Sequence, residues 1–398
     1  MSTTTVTTPA AGMTRTRTIV FAIAGGLAVG NLYWAQPLIE EIAGSLGVAS
    51  SSAATLVTVT QIGYALGIFL VVPLGDVLNR RKLIPAVLAV SSLMLLGAAA
   101  PSFSLLLGAL GGVGLTTVSA QLLSPLASEL AAPEQRGRVV GTIASGALIG
   151  ILLSRTVSGL VAEAFGWRAI YVIAAVLAVA LAVVLYALIP RLEPREPIRY
   201  ARLLGSVFTT VAQYRAVPPT LLISGLGFTV FSLFWTSLTF LLAAPPFSYS
   251  VGQIGLLGLA GLAGALAARR AGAIHDRGWS VPATGAALAL LALSLAGAWL
   301  ASGSIIGLIV IVILLDVAAQ ANLVLSQTRL LTLPGSARSR LNTAVVVSNF
   351  IGGAAGSAMS GPLWSAGGWT AVIFAALVLT LVALAVWSAS RTRLAAVA

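Results

Sequence analysis

Cysteine is absent from the 398 residues, which excludes disulfide and thiolate chemistry. Histidine occurs once, as His275, in a stretch read as a loop, so neither a His relay nor a His-built metal site is expected. Lysine also occurs once, as Lys82, and no G-x-x-x-x-G-K-[ST] phosphate loop is present, which argues against an ATP-driven pump. Without a cysteine, and with its one histidine in a loop, the chain offers no nucleophile–base pair for an intramembrane enzyme. It is therefore read as non-enzymatic, with no cofactor and no metal. Charge is scarce too: Asp, Glu, Lys and Arg make up 8% of the sequence.

What fills the chain is apolar: 58% of the residues are hydrophobic. A run of ~20 apolar residues crosses a bilayer as a helix. Residues 18–390 divide into about twelve such runs, punctuated by charges and Gly/Pro turns. The fold class expected is an all-α integral membrane protein of twelve spans. Residues 1–17 read as a disordered tail, span 1 as a retained helix rather than a cleaved leader, and residues 391–398 as a second tail.

The 22 Lys and Arg outnumber the 10 Asp and Glu, for a formal net charge of +12. In a soluble chain that would point to nucleic acid, but the bases alternate with the spans. Arg15 and Arg17 precede span 1. Arg80, Arg81 and Lys82 follow span 2, Arg136 and Arg138 follow span 4, and Arg191, Arg195, Arg199, Arg202 and Arg215 follow span 6. Arg269, Arg270 and Arg277 follow span 8, Arg338 and Arg340 follow span 10, and Arg391 and Arg393 follow span 12. The other set of loops holds only Arg168. Positive loops stay in the cytoplasm. Both termini are expected there, in a multi-pass inner (plasma) membrane protein whose basic face meets anionic lipid and not nucleic acid.

The halves echo each other. "PLGDVLNRRKL" at 73–83 is answered by "AGAIHDRGW" at 271–279, which sets Asp76 and Asp276 200 residues apart. "FGWRA" at 165–169 answers "GGWTA" at 367–371, and "PEQRGR" at 133–138 answers "PGSARSR" at 334–340. Six spans in each half give both the same orientation, so the repeats are parallel. The bundles are expected at 18–190 and 217–390, joined by a cytoplasmic loop at 191–216. This plan resembles the major facilitator superfamily over nearly the whole chain. That family's loop signature runs Gly, three residues, Asp, Arg, one residue, Gly and two bases. Asp76, Arg80 and Arg81 match it, while Val72, Val77 and Asn79 depart from it. The second copy keeps Gly272, Asp276 and Arg277.

The resemblance implies that the loop acids gate the cytoplasmic side, Asp76 meeting the start of span 11 when the protein faces outward. Glu129, at the cytoplasmic end of span 4, is the natural partner of Arg80. The gating set is Asp76, Arg80, Arg81, Glu129, Asp276 and Arg277. Bases alone would fix topology; acids contribute little to it, which favours a latch.

Two ionisable residues are placed deep in the membrane, Arg155 in span 5 and Asp316 in span 10. Each costs about 2.5–3.5 kcal/mol at a helix centre on insertion scales. A state-dependent Arg155–Asp316 interaction is expected, with Asp316 taking a proton; the alternative is local pairing that only stabilises packing. Polar and aromatic groups stripe the spans that would line a central cavity: Asn31, Tyr33, Trp34 and Gln36 in span 1, Gln61 and Tyr64 in span 2, Gln121 in span 4, Trp235 in span 7, Gln320 in span 10 and Asn349 in span 11. Trp34 and Trp235 hold equivalent repeat positions and could flank one site. Glycines crowd spans 5 and 11, where the halves are expected to slide.

The whole resembles the bacterial drug and sugar efflux branch of drug–proton antiporters, although span 5 lacks that branch's Gly-Pro pair and span 4 its buried Arg. The function implied is secondary active transport of a small amphipathic or lipophilic compound by alternating access, as proton-coupled efflux by a monomer. The alternatives are proton-coupled uptake or uniport of a small metabolite, and a non-transporting sensor on the same fold.

Overall fold

A computed structural model describes residues 13–190, 199–261, 264, 270–271 and 274–395. Span 1 is not one continuous helix. Arg15–Gly30 is capped by Thr14, whose hydroxyl accepts from the Arg17 amide at 3.3 Å. The chain then passes through turns at 31–38 and resumes as Ile39–Leu46. Spans 2 to 7 are Ser50–Val77, Arg80–Ala98, Phe103–Leu130, Pro133–Phe165, Arg168–Leu188 and Val217–Ala243. Span 8 starts with Val251–Gly261, under a Ser250/Gln253 capping box. Spans 9 and 10 are Ser280–Leu300 and Ile305–Leu331. Spans 11 and 12 share the helical run Ala337–Ala395, divided at Gly367 and Gly368. Gly368 (φ 56°) and Gly166 (φ 79°) adopt backbone open mainly to glycine, and they make the equivalent turns of the two repeats.

Gly272 of the second loop-signature copy and the loop bases Arg191, Arg195 and Arg269 lie outside the described residues. After span 6 the chain forms a helix, Tyr200–Gln213, laid against the seam between spans 2 and 11. The Tyr200 hydroxyl donates to the Leu70 carbonyl at 2.5 Å, and Phe208 meets Phe69 at 5.6 Å between ring centres.

Glycine sets the closest helix approaches, and many of these lie inside a half rather than between halves. A Cβ on Gly146 or Gly150 of span 5 would strike the backbone of Ala22 or Gly26 in span 1. On span 11, Gly352 and Gly356 face Gly225 and Thr229 of span 7. Gly159 and Gly361 do lie between halves, against Val251 of span 8 and Ser51 of span 2. The sliding role read from glycine density therefore divides: a small residue permits close packing whether the contact is fixed or moves.

The halves meet from mid-span to the face opposite the basic loops. Thr58 Oγ1 and Ser357 Oγ share a hydrogen bond at 2.9 Å, and Gln61 Nε2 donates to Ser232 Oγ at 3.0 Å. Thr239 Oγ1 donates to the Gln36 carbonyl at 3.1 Å, and Thr156 Oγ1 to the Gly255 carbonyl at 2.9 Å.

Candidate functional site

Below this seam lies a cavity of about 400 Å³ between the halves. Tyr33 and Phe231 stand at its mid-membrane end, and Gln327 and Asn342 stand near the basic loop that carries Arg338 and Arg340. Both halves line it. Of the polar residues expected around a central cavity, Tyr33, Tyr64, Gln121, Gln320 and Asn349 are on its wall. Tyr64 packs on Phe350 across the halves at 4.3 Å between ring centres.

The remaining candidates are buried around the cavity and engaged with protein. Asn31 Nδ2 donates to Thr117 Oγ1 at 3.1 Å, tying span 1 to span 4. Gln61 bonds across the halves to Ser232. Trp34 meets Tyr171 of span 6 edge-on at 6.5 Å, inside the first half. Its equivalent in the repeat, Trp235, points to the centre. The two tryptophans therefore do not flank one site: the turns at 31–38 redirect span 1 where span 7 continues as helix.

Arg155 and Asp316 come together above the cavity, with Trp235 between them. Trp235 Nε1 donates to Asp316 Oδ1 at 2.9 Å, and the Arg155 guanidinium carbon lies 4.4 Å from the centre of a Trp235 ring. The same cation sits 4.8 Å from the Tyr33 ring and 5.8 Å from the Phe231 ring. Since Tyr33 and Phe231 also line the cavity, Arg155 lies directly behind its inner wall. Arg155 Nε donates to Gln36 Oε1 at 2.8 Å. Ring faces and an amide oxygen thus compensate a buried cation, where each desolvated cation–π contact contributes up to about 2 kcal/mol. Among the described residues, Arg155 Nη2 and Gln36 Nε2 are buried with no hydrogen-bond partner.

At the basic face Arg80 gathers three acceptors. Its Nη2 reaches Asp76 Oδ1 and its Nη1 reaches Glu129 Oε1, each at 3.0 Å, while Nε donates to the Gly75 carbonyl at 2.8 Å. Arg80 is buried and both carboxylates are part-exposed. Arg81 turns elsewhere: its Nε donates to the Tyr186 carbonyl at 3.4 Å and its cation covers the Tyr186 ring at 5.2 Å. In the second half Asp276 and Arg277 are exposed, just before Trp279.

A third deep cation was not read from the sequence. Arg329, at the basic end of span 10, is fully buried. Its Nη2 donates to the Ser280 carbonyl at 3.2 Å, Ser280 Oγ at 3.1 Å and Thr284 Oγ1 at 2.7 Å, while Nε and Nη1 have no partner among the described residues. The repeat carries the signal that could have found it: Glu129 and Arg80 lie 200 residues before Arg329 and Ser280. The first half places its base on span 3 and an acid on span 4. The second half places a base on span 10 and a hydroxyl on span 9.

Residues 21–333 match the Major Facilitator Superfamily. The chain is 43% identical over 370 residues to the Uncharacterized transporter YgaY of Escherichia coli O157:H7, covering 93% of this chain and 94% of that one. It is 36% identical to the Probable transporter SCO4007 of Streptomyces coelicolor, over 92% of this chain and 86% of that one. Among solved structures, a bacterial homologue of the human lysosomal transporter Spinster, in an inward-facing and unoccupied conformation, superposes with a TM-score of 0.77. The identity is 16%, over 96% of this chain and 98% of the other.

Proposed function

The chain belongs to the major facilitator superfamily of transporters, and from that premise we propose that it moves a small amphipathic compound through the inner membrane by proton-coupled alternating access, as a monomer. The observation that carries this reading is the Asp316–Trp235–Arg155 cluster behind the inner wall of a cavity shared by both halves. A buried carboxylate is costly when charged, so Asp316 can exchange its charge for a proton when its distance from Arg155 changes. The other titratable groups of the cluster are Arg155 on span 5, which lies against Trp235, and Tyr33 on span 1, which lies against Arg155. Alternating access supplies the change of distance, because Arg155 and Asp316 sit on opposite halves.

In this reading the basic face is cytoplasmic, in contact with anionic lipid, and the cavity leads toward it while the opposite face is closed. Asp76, Arg80 and Glu129 form the latch of the first half, and Asp276 and Arg277 belong to the corresponding loop of the second. Export against the proton gradient is the direction implied by the likeness to efflux transporters. A second reading, proton-coupled uptake, is favoured by one observation: the unpartnered donors Arg155 Nη2 and Gln36 Nε2 suit an acceptor-rich solute. An anion binds best at this cluster when Asp316 carries its proton.

The test is flux of a compound panel in proteoliposomes under an imposed pH gradient of either sign. Solute accumulation against the proton gradient gives export, and accumulation along it gives uptake. Flux that ignores the gradient removes the coupling.

A further inference from the structure

Burying a donor without an acceptor costs roughly 1–3 kcal/mol, and more when the donor is charged. Arg155 and Gln36 each hold one such donor among the described residues, and the two side chains are joined by the bond from Arg155 Nε to Gln36 Oε1. The Nε and Nη2 groups form the edge of a guanidinium that takes a carboxylate in two parallel bonds. In Arg155 that edge is half filled: Nε donates to Gln36 Oε1 at 2.8 Å, and Nη2 has no acceptor among the described residues. The other end of the same amide, Gln36 Nε2, is also without a partner. Asp316 is the carboxylate nearest in chemistry, yet it makes no salt bridge with Arg155 within 4.0 Å. Its Oδ1 is held by the Trp235 indole instead. The protein therefore keeps an acid beside this cation without letting it fill the edge.

Three rings lie against the Arg155 guanidinium. Tyr33 and Phe231 stand between Arg155 and the cavity, and Trp235 stands between Arg155 and Asp316. Two of these rings, Tyr33 and Phe231, are also part of the wall of the 400 Å³ cavity. That volume falls within the range of small-molecule sites.

We infer that Arg155 Nη2 and Gln36 Nε2 form the recognition site for the carboxylate of a small organic anion, whose apolar or aromatic body lies against Tyr33 and Phe231. This rests on the reading of the cavity as the transport site and names the class of its substrate. Gln36 is the specificity residue: its Oε1 orients the guanidinium, and its amide adds the second donor. A neutral amide of the same shape offers one acceptor oxygen and no charge, and an ammonium offers no acceptor at all beside a cation.

The experiment uses the full chain in lipid nanodiscs. The probes are benzoate and octanoate, each paired with its amide and with the matching ammonium, and the readouts are tryptophan fluorescence and thermal shift. Expected are saturable binding of a carboxylate, weaker binding of its amide and none of its ammonium, and a loss of roughly tenfold or more in Gln36→Leu. Arg155→Lys keeps the charge without the two-pronged edge and should lose as much. Ligand-free melting of each variant separates a lost site from a lost fold, and Gln36→Leu carries the test if Arg155→Lys does not fold. Binding by the ammoniums or amides at least as well as by the carboxylates overturns the inference. So does the absence of carboxylate binding, or wild-type binding in Gln36→Leu. Proton-driven flux of an ammonium probe would remove this inference and leave the coupling intact. Carboxylate binding with flux blind to pH would do the reverse.

Discussion

Asp316 and Arg155 lie on opposite halves of the protein and share one indole: Trp235 donates its N–H to the acid at 2.9 Å and offers a ring face to the base at 4.4 Å. A direct buried ion pair would bind the halves tightly and cost several kcal/mol to separate. An indole between the charges holds both in register with weaker bonds, which suits the parting and meeting that the proposed cycle requires. Gln36 adds a tie of its own, taking Arg155 Nε on its side chain and Thr239 on its carbonyl.

Arg329 is the clearest case of a residue kept at a cost. Among the described residues it is a fully buried cation with two unpaired nitrogens and only neutral acceptors. Replacing buried charge with an apolar group of similar volume is often neutral or stabilising by about 1–4 kcal/mol. Arg329→Met should melt no lower than wild type while transport falls. A lower melting temperature would show that the three hydrogen bonds to Ser280 and Thr284 outweigh the burial.

Two glycines of one helix should behave differently. Gly150 meets Gly26 within the first half, and Gly159 meets span 8 across the halves. Gly150→Ala should lower the melting temperature by the overpacking cost of about 1–3 kcal/mol. Gly159→Ala should spare melting and disfavour the arrangement that is closed opposite the basic face. Spin-label distances across the two faces would show the shift, and equal melting losses in both variants would erase the distinction.

Arg80 joins Asp76 to Glu129 at the basic face. Asp76→Asn should increase the inward-facing population, read as longer distances between spin labels on the basic ends of the halves, with flux lost faster than ligand binding. Because both carboxylates are part-exposed, the direct stability cost should be small, within ~1 kcal/mol. An unchanged distance distribution would leave the loop acids with no part in gating.

His275 gives the loop between spans 8 and 9 a pH response. Burial holds its imidazole below the usual histidine range; Asp276 opposes that and Arg329 adds to it. The folded state therefore favours the neutral ring. Stability is full above the unfolded value of about 6.5 and declines as pH falls through the folded value. His275→Gln should flatten melting temperature against pH on the acid side of neutrality. An identical profile in the variant would assign the acid loss elsewhere.

Much of this site was legible in the chain. A charge inside an apolar run is conspicuous, which is how Arg155 and Asp316 stand out. The Arg80–Glu129 pair followed from two charges at adjacent span ends. Arg329 escaped notice because it lies near a span end, where a base reads as a topology signal; only the comparison with Glu129 exposes it. The separation of Trp34 from Trp235 was hidden for another reason. Equivalent positions in a repeat predict equivalent surroundings only while the helices stay equivalent, and span 1 breaks into turns at 31–38. The Trp235–Asp316 bond depends on side-chain direction across two helices, which spacing within either helix does not encode.

The central claim is that Asp316 carries the coupling proton, and one substitution tests it. Asp316→Asn keeps the shape and a hydrogen-bonding end for Trp235 but cannot exchange a proton. For a compound that the wild type accumulates under a pH gradient in proteoliposomes, the variant should lose gradient-driven accumulation and keep counterflow, since exchange of solute for solute needs no net proton movement. Full gradient-driven accumulation by Asp316→Asn would contradict the account and move the coupling to the glutamates near the opposite face, Glu40 and Glu41.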